Sequence, residues 1–234
     1  MWENSVILEL VQAQYFGTNC WIFATGKNSE CFIVDPGMAI PDLVAEISEV
    51  ISRHNLKPIA TVLTHGHLDH TFSVCAFDEK YRVATYIHPK DREFLGNPAG
   101  IMTPNGPTTE ILRQMGVTSF SEPSEILELV NGTVIDIAGF QLRALHAPGH
   151  TPGSTVFLVN DEYLISGDVL FKNSIGNTSF RLGSNVDMKK TIRNVILPLA
   201  DELIVLPGHG PETTIGTERK NNLYLQERFL RSAD

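Results

Sequence analysis

The stretch Thr64-His65-Gly66-His67-Leu68-Asp69-His70 places three imidazoles and one carboxylate within six residues. Neutral imidazole and carboxylate are the ligand types that zinc and similar dications take. A buried cluster of this density without a cation would need a hydrogen-bond partner for every ring. An exposed one would have no reason to follow an apolar run. Residues 59–63 are such a run, short and β-rich, and read as a buried strand leading straight into the cluster. Residues two apart on a strand share a face, so His65 and His67 point together, while His70 breaks the parity. The backbone must turn after Gly66 or Leu68. A turning backbone presents ligands in two directions, which suits two cations better than one.

Three later stretches share one property with the first: a ligand-type residue sits in a glycine-containing turn just past an apolar run. They are Pro148-Gly149-His150, Ser166-Gly167-Asp168 and Pro207-Gly208-His209-Gly210. Taken singly, a glycine-flanked histidine is more often a turn residue than a ligand. Taken together with the first cluster, these residues complete a binuclear site. His65, His67 and His150 would hold one ion, Asp69, His70 and His209 the second, and Asp168 would bridge both.

The elements that must carry these turns can be read in order. Residues 5–11 alternate weakly and form a first strand, and 16–19 are a turn. Residues 20–25 and 30–34 form a hairpin across Gly26-Lys27-Asn28-Ser29, ending at Asp35-Pro36-Gly37. Apolar residues at Leu43, Val44, Ile47, Val50 and Ile51 have helical spacing, so 41–54 is a helix with Asp42 near its start. After the metal strand, 71–80 is a helix, 83–88 a strand, and 89–95 a helix opening on Pro89. Residues 96–109, rich in Gly, Pro, Asn and Thr, read as a long loop, and the 96–116 segment as a lid. Hairpins over 132–145 and 154–166, a helix at 187–199, a strand at 202–206 and one closing helix at 217–231 finish the chain. Strand-rich blocks with outer helices occur twice, which implies two similar halves packed sheet to sheet, an α/β (α+β) architecture.

Composition bounds the function from outside. The chain has 234 residues, of which 42% are hydrophobic, enough for a sizeable core. A net charge of -9 argues against a general nucleic-acid binder. Cys20, Cys31 and Cys75 are too few and scattered for a disulfide framework; Cys20 and Cys31 lie in apolar runs and read as small core residues. No signal peptide and no membrane-length apolar run is evident, so a cytoplasmic protein acting on a small molecule is the expectation.

The motif set resembles the metallo-β-lactamase superfamily. Its H-x-H-x-D-H signature stands here as His65-Gly66-His67-Leu68-Asp69-His70, the downstream His150, Asp168 and His209 fall in the family order, and Gly17-Thr18-Asn19-Cys20 and Asp35-Pro36-Gly37 match its opening strands. The resemblance covers nearly the whole chain and implies a four-layer αββα sandwich. Within the superfamily the chain is similar to the glyoxalase II-like hydrolases, which cleave thioesters such as S-lactoylglutathione. That similarity implies a metallo-hydrolase with two zinc ions, or iron or manganese in their place, acting through a hydroxide held between the metals. Asp69 and Asp168 would be its catalytic carboxylates, Asp69 orienting the nucleophile or taking its proton.

Two features depart from that branch. Only 25 residues follow His209, room for one helix rather than a glutathione-binding helical domain, so residues 1–234 read as a single domain. The Gly-Arg segment expected after the bridging aspartate is Ser174-Ile175-Gly176-Asn177-Thr178-Ser179, with no arginine before Arg181. The alternatives on the same ligands are a persulfide dioxygenase using one iron on His65, His150 and Asp168, a lactonase, a phosphodiesterase or a β-lactamase; a metal-stabilised scaffold that binds a partner protein is the non-enzymatic one. The resemblance implies that Asp35 supports the metal loop by hydrogen bonding; as a plain residue it is a turn aspartate before Pro36. His88 and His146 read as structural or supporting, and His54 as complementing a helix dipole. Arg181, Lys172 and Tyr224 are candidates for an anionic substrate. Phe16, Phe171, Phe180 and Leu182 are candidates for a pocket wall, with a place in the core as the other reading of each.

Overall fold

Two strands near the N-terminus show how the layers are specified. In β2 (Asn19–Ala24) Cys20, Ile22 and Ala24 alternate with Trp21 and Phe23, and in β3 (Glu30–Val34) Cys31 and Ile33 alternate with Phe32 and Val34. One set packs against helix α1 (Val44–His54) through Val44, Ile47, Val50 and Ile51. The other set faces a second sheet. Strands apolar on both faces must be covered on both, which produces layers.

The computed structural model describes residues 6–102 and 104–231. The first sheet also contains β1 (Ile7–Gln12), β4 (Lys57–Val62), β5 (Ala84–Ile87) and β6 (Ile126–Glu128), in the order β1-β2-β3-β4-β5-β6. The β1–β2 and β2–β3 pairs are antiparallel and the rest parallel. Between these strands lie α2 (Leu68–Thr71), α3 (Val74–Tyr81), α4 (Pro89–Gly96) and α5 (Pro107–Met115).

The second sheet is built from β7 (Val134–Ile137), β8 (Phe140–His146), β9 (Thr155–Val159), β10 (Tyr163–Gly167), β13 (Ile204–Pro207) and β14 (Thr213–Thr214), in the order β14-β13-β10-β9-β8-β7. A small hairpin, β11 (Leu170–Phe171) and β12 (Ser174–Ile175), follows β10. Helix α6 (Asn185–Thr191), a wider π turn over Ile192–Ile196, and helices α7 (Ile215–Asn221) and α8 (Glu227–Leu230) cover its outer face. Phe23, Phe32 and Phe140 meet between the sheets, the first two stacked at 4.9 Å and the third edge-on to both. The expected αββα sandwich is the observed fold. Cys20 and Cys31 are fully buried core residues.

Several elements differ from the sequence reading, each for a local reason. The helix expected at 71–80 is broken at Ser73, whose hydroxyl donates to Gly37 O and accepts from Leu43 N, tying the segment to the loop before α1. The long loop at 96–109 contains a single 3-10 turn and ends in α5, which starts at Pro107; a Gly-Pro pair marks a helix start as readily as a loop. The single closing helix is three short pieces. Asn222, fully buried, donates its amide to Ser174 O and Glu218 and leaves the helical conformation. The strands β6, β11, β12 and β14 were not expected. They are two or three residues long, too short for an alternation to show.

Strand direction explains how distant turns meet. β9 runs against both β8 and β10, so β8 and β10 point the same way, and β13 is parallel to β10. The turns leaving β8, β10 and β13 therefore emerge on one rim, and Thr155 N donates to Thr64 O to bring the turn after β4 alongside. Asp91, in the first turn of α4 and fully buried, binds this rim together. Its carboxylate accepts from Gly66 N at 2.9 Å, Thr151 Oγ1 at 2.5 Å and Gly153 N at 2.6 Å. Asp91→Ala strands two buried peptide N–H groups and leaves the Thr151 hydroxyl only its Ser154 contact. At about 1–3 kcal/mol for each unsatisfied buried donor, the variant should lose roughly 3 kcal/mol or more of unfolding free energy, read as a lower urea midpoint at unchanged slope. An unchanged midpoint would show that the clamp carries no weight.

Candidate metal centre

The structure brings all seven expected residues to one place. His65 and His67 lie on the turn after β4 and His150 on the turn between β8 and β9. His67 Nδ1 is 3.1 Å from His65 Nε2 and 2.8 Å from His150 Nε2. Asp69 and His70 open α2, and His209 follows β13. His70 Nε2 is 3.1 Å from His209 Nε2, and Asp69 Oδ2 lies 3.5 Å and 3.3 Å from those two nitrogens. Asp168 sits between the triads. Its Oδ2 is 3.4 Å from His150 Nε2 and 3.5 Å from His209 Nε2, and its Oδ1 is 3.3 Å from His70 Nε2. Within each triad the ligand atoms lie within 4.8 Å of one another.

The outer contacts of the rings decide which nitrogens are free. Thr64 Oγ1 donates to Asp35 Oδ2 at 2.6 Å, so it accepts from His65 Nδ1 at 3.0 Å. His70 Nδ1 donates to Asp35 Oδ2, His150 Nδ1 to Asn177 O and His209 Nδ1 to Phe16 O, at 2.8–3.1 Å. Each of these four rings thus has its proton on Nδ1, and the bare Nε2 lone pair points inward. This is the arrangement that fixes the tautomer of a metal-ligating histidine. His67 instead turns its Nδ1 inward. Asp35, for which the resemblance implied a supporting role, hydrogen-bonds to the turn and to His70. Its Oδ1 accepts from the Thr64 N–H and its Oδ2 from the Thr64 hydroxyl and His70, and Asp35, His65 and His70 also cluster.

The electrostatics fit cations at this point. Burial, with His70 and His150 beside it, lowers His65 well below the imidazole range. Burial and His150 take His67 down to about 3. Both stay neutral and keep their lone pairs. Burial would raise Asp69, but His70 and the His209 bond bring it to about 2, and Asp168 is held low against burial by His70, His150 and His209. His70 and His209 go the other way. Burial would lower them, yet Asp168 and Asp69 raise both, so a proton on these rings takes up the charge that a cation would supply. Asp168 Oδ1 is buried and meets no donor in hydrogen-bond geometry. Inward lone pairs 3.1 Å apart and an orphaned carboxylate oxygen are what a pair of dications would satisfy.

The remaining expected residues divide. Phe16 and Phe180 line the pocket above the triads. Phe171 lies edge-on to the His209 ring at 6.0 Å without lining that pocket, and Leu182 does not line it. Arg181 donates to Ala99 O outside the pocket, Tyr224 borders a separate cleft beside Asn177 and Ser179, and Lys172 lines neither. His88 and His146 stack on each other at 4.1 Å, His88 capping α4, and His54 pairs with Glu9 at the end of α1. Of the 96–116 segment, Ile101, Met102 and Gly106 to Thr108 form part of the pocket wall.

The sequence did not show the supporting roles of Asp91, Asn19 and Trp21. Asp91 read as an ordinary acid in a helix's first turn. Asn19 donates its amide to Pro207 O and Gly210 O, and Trp21 Nε1 to Pro207 O, which clamps the His209 turn from the other sheet. The Thr18-Asn19 pair was the available signal. Gly208 was also decisive: a Cβ there would lie 2.4 Å from Asp168 Oδ1 and 2.7 Å from His70 Cε1, so no larger residue lets the two sides meet.

Comparison with known proteins agrees with this arrangement. The model of the metallo-beta-lactamase superfamily matches residues 14–209. The hydroxyacylglutathione hydrolase GloC of Haemophilus influenzae is 32% identical over 223 residues, covering 94% of this chain and 99% of that protein. The crystal structure of the BLEG-1 B3 metallo-beta-lactamase matches with a TM-score of 0.79 at 32% identity, over 94% of this chain and 99% of that one. That of TTHA1623 in a di-iron-bound form matches with a TM-score of 0.74 at 26% identity, over 92% and 99%. The chain therefore belongs to the metallo-β-lactamase superfamily, whose members bind divalent metals at a His/Asp site.

Proposed function

We propose that the chain is a hydrolase that works with two divalent metal ions and cleaves a thioester or a related acyl compound. The observation that carries this reading is Asp168, whose Oδ2 lies 3.4 Å from a nitrogen of one triad and 3.5 Å from a nitrogen of the other. In this reading His65, His67 and His150 hold one ion, Asp69, His70 and His209 hold the second, and Asp168 joins them. Zinc, iron and manganese all take nitrogen and oxygen donors of this kind. TTHA1623 is known in a di-iron-bound form, so iron stands beside zinc.

Bound there, two dications would polarise a substrate carbonyl and lower the pKa of water. The chain's own residues supply the rest. Asp69 and Asp168 stay ionised and balance cationic charge. Asp69 lines the pocket, and with a pKa near 2 it accepts a hydrogen bond without taking up the proton, so it orients the attacking water. Among the described residues, every titratable one lining the pocket belongs to the triads or is the Asp168 between them, and none is left over to protonate a leaving group. That favours a substrate whose leaving group departs as an anion, as a thiolate does and an amide nitrogen does not. The name of GloC, a hydroxyacylglutathione hydrolase, supports the same class.

The rival reading, a persulfide dioxygenase with one iron on His65, His150 and Asp168, gives Asp69, His70 and His209 no task, although they converge as closely as the first triad. Metal analysis with oxygen uptake separates the two. Two ions per chain and hydrolysis without oxygen consumption are expected; one iron with stoichiometric oxygen uptake would establish the rival. A turnover screen of thioesters, lactones, phosphodiesters and β-lactams separates the hydrolase branches. Asp168→Ala should lower hydrolysis by at least about 100-fold and reduce metal content, and retention of both would remove Asp168 from its bridging place. Cations must displace protons from His70 and His209, whose pKa values are raised without metal. Zinc affinity, measured by chelator competition, should therefore weaken from about pH 8 to about pH 6. A pH-independent affinity would contradict the assignment of these two rings.

A further inference from the structure

Phe16, Leu68, Ile101, Met102, Pro107 and Phe180 form an apolar wall that faces the triads across a pocket of about 340 Å³. That is a size suited to a small organic ligand. The wall is built into the fold rather than lying loosely on it. Leu68 and Ile101 are buried, and Leu68 and Met102 pack with Met38 and Leu112 in one cluster. Phe16 and Phe180 stand at the mouth, 43% and 44% exposed. The Phe180 ring meets His67 and His150 edge-on at 5.9 Å and 6.0 Å, so apolar surface begins directly beside the triads.

Charge is confined to the floor. The charged and titratable lining residues are members of the triads and the Asp168 between them, and no lysine or arginine lines the pocket among the described residues. Arg181, the neighbour of Phe180, donates to Ala99 O at 3.2 Å instead. A substrate with its carbonyl at the triads has two flanking groups, and one of them lies against the wall. A carrier such as glutathione bears two carboxylates and an ammonium. Laid against this wall, those groups would lose their water and meet no opposite charge. A hydrocarbon acyl chain has no such groups to desolvate, and it gains about fourfold in binding for each methylene buried.

We infer that this pocket is an acyl-chain site: the protein selects uncharged, apolar acyl groups of several carbons and leaves the thiol carrier in solvent, unread. The inference rests on the hydrolase reading of the triads and names its substrate class. Specificity then lies in the acyl half of the molecule. A short hydroxyacyl group such as lactoyl leaves most of the wall without contact.

The test compares n-acyl thioesters from acetyl to octanoyl on two carriers, neutral N-acetylcysteamine and glutathione, with the zinc-loaded protein. Expected is a rise in kcat/KM of about fourfold per methylene until the pocket fills, with the same slope on both carriers and little effect of exchanging them. Met102→Gln, and Phe180→Ser at the exposed mouth, should flatten the slope on both. A flat or falling series, a preference of tenfold or more for glutathione, or variants with an unaltered slope would overturn the inference. Binding of uncharged n-alkanamides from acetamide to octanamide, followed by calorimetry with metal-free and zinc-loaded protein, keeps the two readings apart. If no thioester turns over but the alkanamides tighten about fourfold per methylene, the acyl site stands and the thioester reading fails. If the alkanamides show no dependence on chain length, the acyl site falls whatever the protein hydrolyses.

Discussion

Imidazole lone pairs aimed at one another are the constraint around which this structure is arranged. His65, His70, His150 and His209 each have Nδ1 tied to an acceptor outside the cluster, so their Nε2 atoms face inward without protons of their own. His70 and His209 bring two such atoms to 3.1 Å. Neutral rings in that geometry repel, and burial removes the water that could relieve them. Only positive charge, as protons or as cations, makes the arrangement favourable. In the metal-free protein a proton held between His70 and His209 relieves this pair, favoured by Asp69 and Asp168.

The fold holds these lone pairs in place against that repulsion. No single element could do so, because the seven residues come from four turns. Polar anchors hold three of them: Asp35 for the turn after β4, Asp91 for its link to the His150 turn, and Asn19 with Trp21 for the His209 turn. Asn19 and Trp21 sit on the opposite sheet from the turn they hold, so the site spans both halves of the sandwich. The Phe23, Phe32 and Phe140 packing between the sheets therefore bears on the site as well, since a shift of one sheet against the other would part the triads. Close approach finishes the work at Gly208, where even a methyl group would intrude on Asp168 and His70.

Much of this was legible in the residues alone. The 65–70 cluster, the three glycine turns and the alternation of β2 and β3 all carry local patterns, and local patterns are what a sequence displays. The layers, and the seven residues that the structure gathers at one rim, followed from them. What stayed hidden depends on partners far along the chain. Asp91 looks like any acid in a helix's first turn until Thr151 and Gly153 are seen to reach it from about sixty residues away. Asn222 breaks the last helix because Ser174 and Phe171 compete for its amide. α5 was masked by the same Gly, Pro and Thr residues that open it. The apolar wall was half visible: Phe16 and Phe180 could be singled out, but Ile101 and Met102 lay in a segment whose composition spoke only of a loop.

Anomalous diffraction from metal-loaded crystals, recorded on either side of the metal's absorption edge, tests the central claim most directly. The account predicts two peaks per chain, one among His65, His67 and His150 and one among Asp69, His70 and His209, with Asp168 within bonding distance of both. A single peak held by His65, His150 and Asp168, or peaks lying away from the inward-facing nitrogens, would contradict it.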